Sequence, residues 1–125
     1  MGQAPSETAT LFERVGGAEG LSAIVSDIID AHLANPAIRT RFEAFDPNEM
    51  KRRGFEFFAM AMGGPVTYTG RGLRETHKGM NINEQEFVAG CDDLLAVLQK
   101  RGVPEREQNE MLSAFFALKG EVLHL

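Results

Sequence analysis

Apolar residues recur every three or four positions in four stretches of the chain, which is the spacing of one buried face of an α-helix. The first stretch is the most regular, and Asn35-Pro36 ends it. Pro36 can then begin a short turn that directs Ile38 and Phe42 inward. The predicted inner face of this first long helix comprises Leu21, Ile24, Val25, Ile28, Ile29, His32 and Leu33.

The second stretch begins at Asp46-Pro47-Asn48-Glu49, a variant of the capping box that starts helices. It ends at Gly63-Gly64-Pro65. The glycine-rich segment from there to Gly79 leaves room for about two further helical turns, around residues 73–78. The predicted inner face of this second helix comprises Met50, Gly54, Phe57, Phe58 and Ala61.

A third helix is predicted to start at Asn83, because Glu86 three residues later completes a capping box, and to end before Gly102. Pro104 starts a fourth helix. No stretch shows the alternation typical of strands, so the sequence predicts an all-α fold with four substantial helices. The inner faces are Phe87, Cys91, Leu94, Leu95 and Leu98 on the third helix, and Met111, Leu112, Phe115, Leu118 and Val122 on the fourth.

The length of 125 residues suits one domain, and we expect a disordered leader over residues 1–9 before a single domain over residues 10–125. A formal net charge of −5 argues against nucleic acid and anionic membranes as partners. A signal peptide and a membrane-spanning apolar run are both missing from the sequence, so we expect a cytoplasmic protein. The single cysteine, Cys91, lies on an apolar face, which indicates a buried and unreactive thiol.

The three histidines are the remaining candidates for chemistry. His124 is expected to be solvated, and His32 on its apolar face is typical of a structural histidine. His77 lies between Gly72 and Gly79 with apolar residues around it. A neutral imidazole in an apolar slot beside flexible glycines suits an axial haem ligand, whereas a lone histidine is more often structural. The pattern alone leaves both interpretations open.

Three segments carry a resemblance to a known family: TLFERVGG, FFAMAMGGPVTYTG and LRETHKGMNINEQEF. The chain resembles the group I truncated haemoglobins over about residues 10–122. The resemblance implies a two-over-two helical globin sandwich around haem b. It also implies that iron binds a diatomic gas: O2, NO or CO. The paired glycines at 16–17 and 63–64 match family motifs beside the short first helix and before the haem-binding loop.

The resemblance further implies roles for individual residues. His77 matches the proximal histidine that ligates iron through Nε2. Arg53 lies where the family often has a basic or histidine residue that reaches a haem propionate, and Tyr68 matches a tyrosine near a propionate. Apolar haem contacts are implied at Phe42, Phe57, Phe58, Leu73, Ile82 and Phe87.

The chain departs from the family on the distal side of the iron. Ile29 stands where the family usually carries a tyrosine, and Gly54 where it usually carries glutamine or another hydrogen-bonding residue. Met50 occupies the remaining distal position. A hydrogen bond to iron-bound O2 is worth on the order of 1–3 kcal/mol, so its loss predicts faster O2 release and weaker discrimination against CO.

We therefore expect a gas-binding haem globin for oxygen binding, transport or sensing rather than an enzyme. NO dioxygenation is one alternative, although the missing distal tyrosine makes it less favourable. A six-coordinate redox or electron-transfer protein is a second alternative, with Met50 or His32 as sixth iron ligand, and a haem-free helical interaction module is a third. Expected partners are the gas and a reductase, with the chain a monomer or weak homo-oligomer.

Overall fold

The computed structural model describes residues 9–125, so the leader predicted for residues 1–9 lies outside the described residues except for Ala9. Six α-helices and two short 3-10 turns make up this part of the chain. The helices are α1 Leu11–Arg14, α2 Gly17–Ala34, α3 Pro47–Ala61, α4 Leu73–His77, α5 Glu84–Lys100 and α6 Glu105–Phe116, and the 3-10 turns are Arg39–Arg41 and Lys119–Glu121. The four long helices confirm the predicted all-α class.

Helix α2 packs against both α3 and α5, and α6 packs against α5. The long helices thus form two pairs, α2 with α3 and α5 with α6, joined where α2 crosses α5. The core lies at this junction, where Leu21, Val25, Leu94, Leu98 and Met111 are almost completely buried. Each such side chain contributes about 1.5–3 kcal/mol through the burial of apolar surface. Within residues 9–125, none of the helices is both long and apolar enough to cross a bilayer.

Side-chain caps start two of the long helices, α3 and α5, at the predicted residues. The Asp46 carboxylate accepts the backbone N–H of Asn48 at 3.0 Å, with Pro47 as the first residue of α3. At the start of α5, the Asn83 side chain accepts the Glu86 N–H at 2.8 Å, and the Glu86 carboxylate accepts the Asn83 N–H at 3.0 Å. These bonds satisfy backbone donors that have no partner inside the helix.

One inward position predicted on the second helix was wrong, and so was the end predicted for the fourth helix. Ala61 is exposed, and its place in the core is taken by Ala59 and Met62. The reason is that α3 has two apolar faces, one towards the core and one towards a cavity. Its apolar residues therefore do not follow the spacing of a single helical face. Helix α6 ends at Phe116 rather than running to Val122, because the chain turns and pairs with residues 79–82. Val122 is buried all the same.

The Gly63-Gly64 pair ends α3 and lets the first helix pack beneath it. Gly63 has a φ of +86°, which disfavours any residue with a side chain. A Cβ atom on Gly64 would lie 2.7 Å from the ring of Phe12. Phe12 is buried, and its backbone N–H donates to the carbonyl of Met62 at 3.0 Å. The second glycine is therefore required by the close approach of α1 to the end of α3.

Candidate functional site

A cavity of about 310 Å³ opens between α2, α3, α4 and α5. The structure brings every site residue predicted from the sequence to its wall. These are Ile29, Phe42, Met50, Arg53, Gly54, Phe57, Phe58, Tyr68, Leu73, His77, Ile82 and Phe87. The wall is predominantly apolar and aromatic. Cys91 is not part of the wall; it is buried, and burial raises the pKa of its thiol, as expected of an unreactive cysteine.

His77 is the last residue of α4, and its ring is half-buried against the cavity. Its Nδ1 lies 2.7 Å from the carbonyl oxygen of Leu73, one helical turn earlier. A carbonyl can only accept, so Nδ1 carries the proton and donates it. In the neutral ring Nε2 then has a free lone pair, which is the arrangement that histidine ligands adopt when a backbone carbonyl orients them.

The segment that follows His77 is held by the last residues of the chain. The N–H groups of Gly79 and Asn81 donate to the Leu125 carbonyl at 3.2 and 2.9 Å, and the His124 N–H donates to the Ile82 carbonyl at 2.9 Å. Asn81 has a positive φ of 48°, so this turn is sharp. The His124 side chain is exposed, as predicted. These bonds hold the backbone that directly follows His77, and they thereby help to position α4.

A polar group at one rim of the cavity joins α3 to the loop before α4. The Arg53 guanidinium donates to Glu49 at 3.0 Å and to the Thr69 hydroxyl, and it lies 3.4 Å from Glu56. Glu56 also accepts the backbone N–H of Thr69 at 3.1 Å, and that bond is the main cause that lowers the pKa of Glu56. The Tyr68 hydroxyl donates to the Arg71 carbonyl at 2.6 Å. Arg53 and Tyr68 thus stand together at this rim.

Ile29, Met50 and Gly54 also line the cavity, and none of them carries a hydrogen-bond donor on its side chain. Gly54 also has a packing role. A Cβ atom on Gly54 would lie 3.1 Å from Cγ1 of Val25, so the glycine lets α3 approach α2 closely. Glutamine at this position would press on Val25. The structure therefore gives a physical reason for the departure from the family pattern.

Sequence reasoning missed Arg41, which lies in the first 3-10 turn and lines the cavity. Its guanidinium donates two parallel hydrogen bonds to Glu86 at 2.8 and 3.0 Å, and a third to the Met80 carbonyl at 2.6 Å. The pairing raises the pKa of Arg41 and lowers that of Glu86. Arg41 therefore links the turn after α2 to the start of α5 and to the loop beyond His77.

Sequence reasoning also missed the partners of His32. The His32 ring is 6% exposed, lines the cavity and stacks on Phe42 with centroids 5.0 Å apart. Its Nδ1 lies 2.8 Å from the Asp93 carboxylate, which also accepts from the Asn35 amide at 3.1 and 3.2 Å. Burial lowers the pKa of His32, and the hydrogen bond to Asp93 opposes that effect. No local pattern around Asp93 points to this contact.

Comparison with protein families shows the class of this protein. The family model for bacterial-like globins matches residues 10–124, which is nearly the whole chain. The fold and the histidine-bearing apolar cavity are thus those of a bacterial-like globin.

Individual relatives define the class more narrowly. A group 1 truncated haemoglobin from Mycolicibacterium paratuberculosis is 32% identical over 117 residues, which are 94% of this chain and 86% of that protein. Another from Synechocystis is 30% identical over 120 residues, covering 93% of this chain and 94% of that protein. The crystal structure of the Fe(III) truncated haemoglobin from Tetrahymena pyriformis matches with a TM-score of 0.89 at 28% identity, covering 94% of this chain and 100% of that one. The chain belongs to the group 1 truncated haemoglobins, and its cofactor is haem.

Proposed function

We propose that this globin binds a diatomic gas at the iron of haem b, with His77 as the proximal ligand and an apolar pocket on the opposite side. The observation that carries the assignment is the His77 ring. Its Nδ1–H donates to the Leu73 carbonyl, which leaves the lone pair of Nε2 free to bind a metal, and His77 lines the cavity. His32, the other histidine on this wall, has its Nδ1 paired with Asp93 and lies stacked on Phe42.

The residues of the cavity fit haem, which is flat and apolar with two carboxylates on one edge. Aromatic rings line the walls, with Phe57 edge-on to Tyr68 at 5.4 Å and Phe87 stacked on Phe115 at 5.3 Å. Arg53 stands at one rim beside Tyr68 and would meet a propionate there. Haem supplies an iron that coordinates O2, NO or CO reversibly. His77 would hold that iron, and the apolar side chains of the wall would keep water away from it.

The experiment that tests the assignment is a haemin titration of wild type and of His77→Ala. We expect His77→Ala to lose stable haem binding, measured as loss of the Soret band after gel filtration, because the variant has no proximal nitrogen. His124→Ala is the matched control, since His124 is an exposed histidine near the same loop. It is expected to retain haem like the wild type. Wild-type haem retention and an unchanged spectrum in His77→Ala would contradict the proximal assignment.

Met50 and His32 are the two residues that the sequence offers as a sixth iron ligand, and both line the cavity. We propose that neither binds iron and that the ferrous protein is five-coordinate. His32 has a role of its own in this arrangement, which follows from its contacts with Asp93.

A further inference from the structure

His32 presents a single free nitrogen to the cavity. A carboxylate can only accept, so the contact with Asp93 places the ring proton on Nδ1 and leaves the lone pair on Nε2. Nε2 has no hydrogen-bond partner among residues 9–125. No fully buried side-chain nitrogen or oxygen of these residues lacks a partner, so Nε2 is not sealed inside the protein. It opens into the cavity that the ring lines.

Asp93 is held in place as the hydrogen-bond partner of the His32 ring. Its side chain is 15% exposed, and its two oxygens accept from His32 and from the Asn35 amide. The Asn35 side-chain oxygen in turn accepts the Ala37 N–H at 3.0 Å, which fixes the orientation of the amide. A protonated His32 would therefore have a negative charge beside it on the side away from the cavity.

Among the ionisable groups that line the cavity, His32 is the one available to accept a proton, because the others have partners or an assigned role. His77 is assigned to iron, and the remaining groups are engaged in hydrogen bonds with residues outside the His32 network. Arg41 bonds to Glu86, Arg53 to Glu49, and Tyr68 to the Arg71 carbonyl. Helix α6 contributes Phe115, which cannot titrate. Burial keeps the free ring neutral, because it disfavours the imidazolium in the absence of an anion in the cavity.

We propose that His32, oriented by Asp93, is a proton acceptor that lets the cavity bind the conjugate bases of small weak acids. In this step the bond between hydrogen and X in the acid HX breaks, and a bond forms between that hydrogen and His32 Nε2. The anion X⁻ would then be stabilised by the imidazolium and bound by the iron. No electron is transferred. The ligand class comprises small protic acids such as hydrazoic acid, hydrogen fluoride and nitrous acid. The inference rests on the proposed haem site, because the iron provides the second contact for X⁻.

The test is azide binding to the ferric, haem-loaded protein as a function of pH, followed by absorption spectroscopy. Above the pKa of the free ring, each azide taken up should bring about one proton with it, so the affinity should fall about tenfold per unit rise in pH. His32→Gln keeps a polar side chain of similar size but cannot take up a proton. We expect the azide affinity of His32→Gln to change little from about pH 6 to about pH 8. Any decrease that remains in this variant measures the competition of hydroxide with azide for the iron.

Asp93→Asn separates the proton-accepting role from a structural role. An asparagine oxygen can still accept from His32 Nδ1, but the charge that stabilises the imidazolium is lost. We expect Asp93→Asn to weaken azide binding near pH 7 in the presence of His32 and to have little effect in the His32→Gln background. An equal effect in both backgrounds, or the same pH slope in wild type and His32→Gln, would overturn the proposal.

A second readout does not depend on azide. Long-range ¹H–¹⁵N spectra of the CO-bound ferrous protein report which nitrogen of His32 carries the proton. The proposal requires the Nδ1–H tautomer at neutral pH, and the Nε2–H tautomer would overturn it. Failure of the haem assignment itself would show separately, as haem retention in His77→Ala.

Discussion

At the scale of one residue, the hydrogen bond from His77 to the Leu73 carbonyl places the ring proton on Nδ1 and leaves the lone pair on Nε2. Both atoms belong to the same short helix, so the orientation of the ring depends on a single turn of backbone. A carbonyl partner orients the ring of a histidine ligand and holds it against rotation. The proposed iron ligand is thus positioned by local geometry, with no side-chain partner required.

The proposed distal face of the cavity lacks a hydrogen-bond donor at three positions. Ile29, Met50 and Gly54 offer no donor, while the nearby His32 is an acceptor at Nε2 when neutral. A neutral pocket of this kind gives iron-bound O2 little stabilisation. We therefore expect rapid O2 release from the wild-type protein.

Ile29→Tyr is expected to reverse this property. The hydroxyl would reach the cavity from α2 and donate to bound O2, a bond worth about 1–3 kcal/mol, so O2 dissociation should slow by roughly ten- to hundredfold. Stopped-flow displacement of O2 by CO measures the rate. Ile29→Phe is the matched control, because it adds the ring without the hydroxyl. Equal dissociation rates in the two variants would contradict the assignment of Ile29 to the distal face.

At the scale of the elements, the start of α5 has two functions. The Asn83–Glu86 capping box begins the helix, and the same Glu86 side chain accepts from Arg41, whose guanidinium also reaches the Met80 carbonyl. The end of α5 nearest the cavity is therefore tied to the turn after α2 and to the loop after α4. Loss of the cap should weaken both the helix and this link.

Asn83→Ala is expected to destabilise the protein by about 1 kcal/mol, the usual cost of removing a side-chain helix cap. The change in the midpoint of urea unfolding measures it, at a fixed haem and ligand state because bound ligands shift apparent stability. Gln85→Ala, an exposed substitution in the same first turn, is the control and should change the midpoint little. A midpoint for Asn83→Ala equal to that of the control would contradict the capping role.

The starts of α3 and α5 were predictable from the sequence because their capping signals are local. Asp46, Asn83 and Glu86 act within three residues of themselves, and the structure confirms each cap. The end of α6 was not predictable, because it depends on pairing between residues 79–82 and the last residues of the chain. The inward position of Ala61 failed for a related reason: a helix that borders both a core and a cavity has two apolar faces.

At the scale of the whole molecule, the cavity exists because the two helix pairs leave space between α2, α3 and α5 that α4 closes with His77. The residues predicted to line it were found by family resemblance and by helical spacing. The hydrogen-bonded residue pairs around the cavity were not predicted from the sequence. Arg41 and Glu86 are 45 residues apart, and His32 and Asp93 are 61 apart, so only the folded chain brings them together. Charged residues on predicted helices give no local sign of such contacts.

The central claim is that haem is held by His77 with the opposite side of the iron free of protein ligands. The absorption spectrum of the ferrous protein without gas tests it most directly. We expect a single broad visible band, typical of five-coordinate iron, that gives way to a CO spectrum when CO is added. Two sharp, split bands before CO is added would show that a second side chain binds the iron and would contradict the claim.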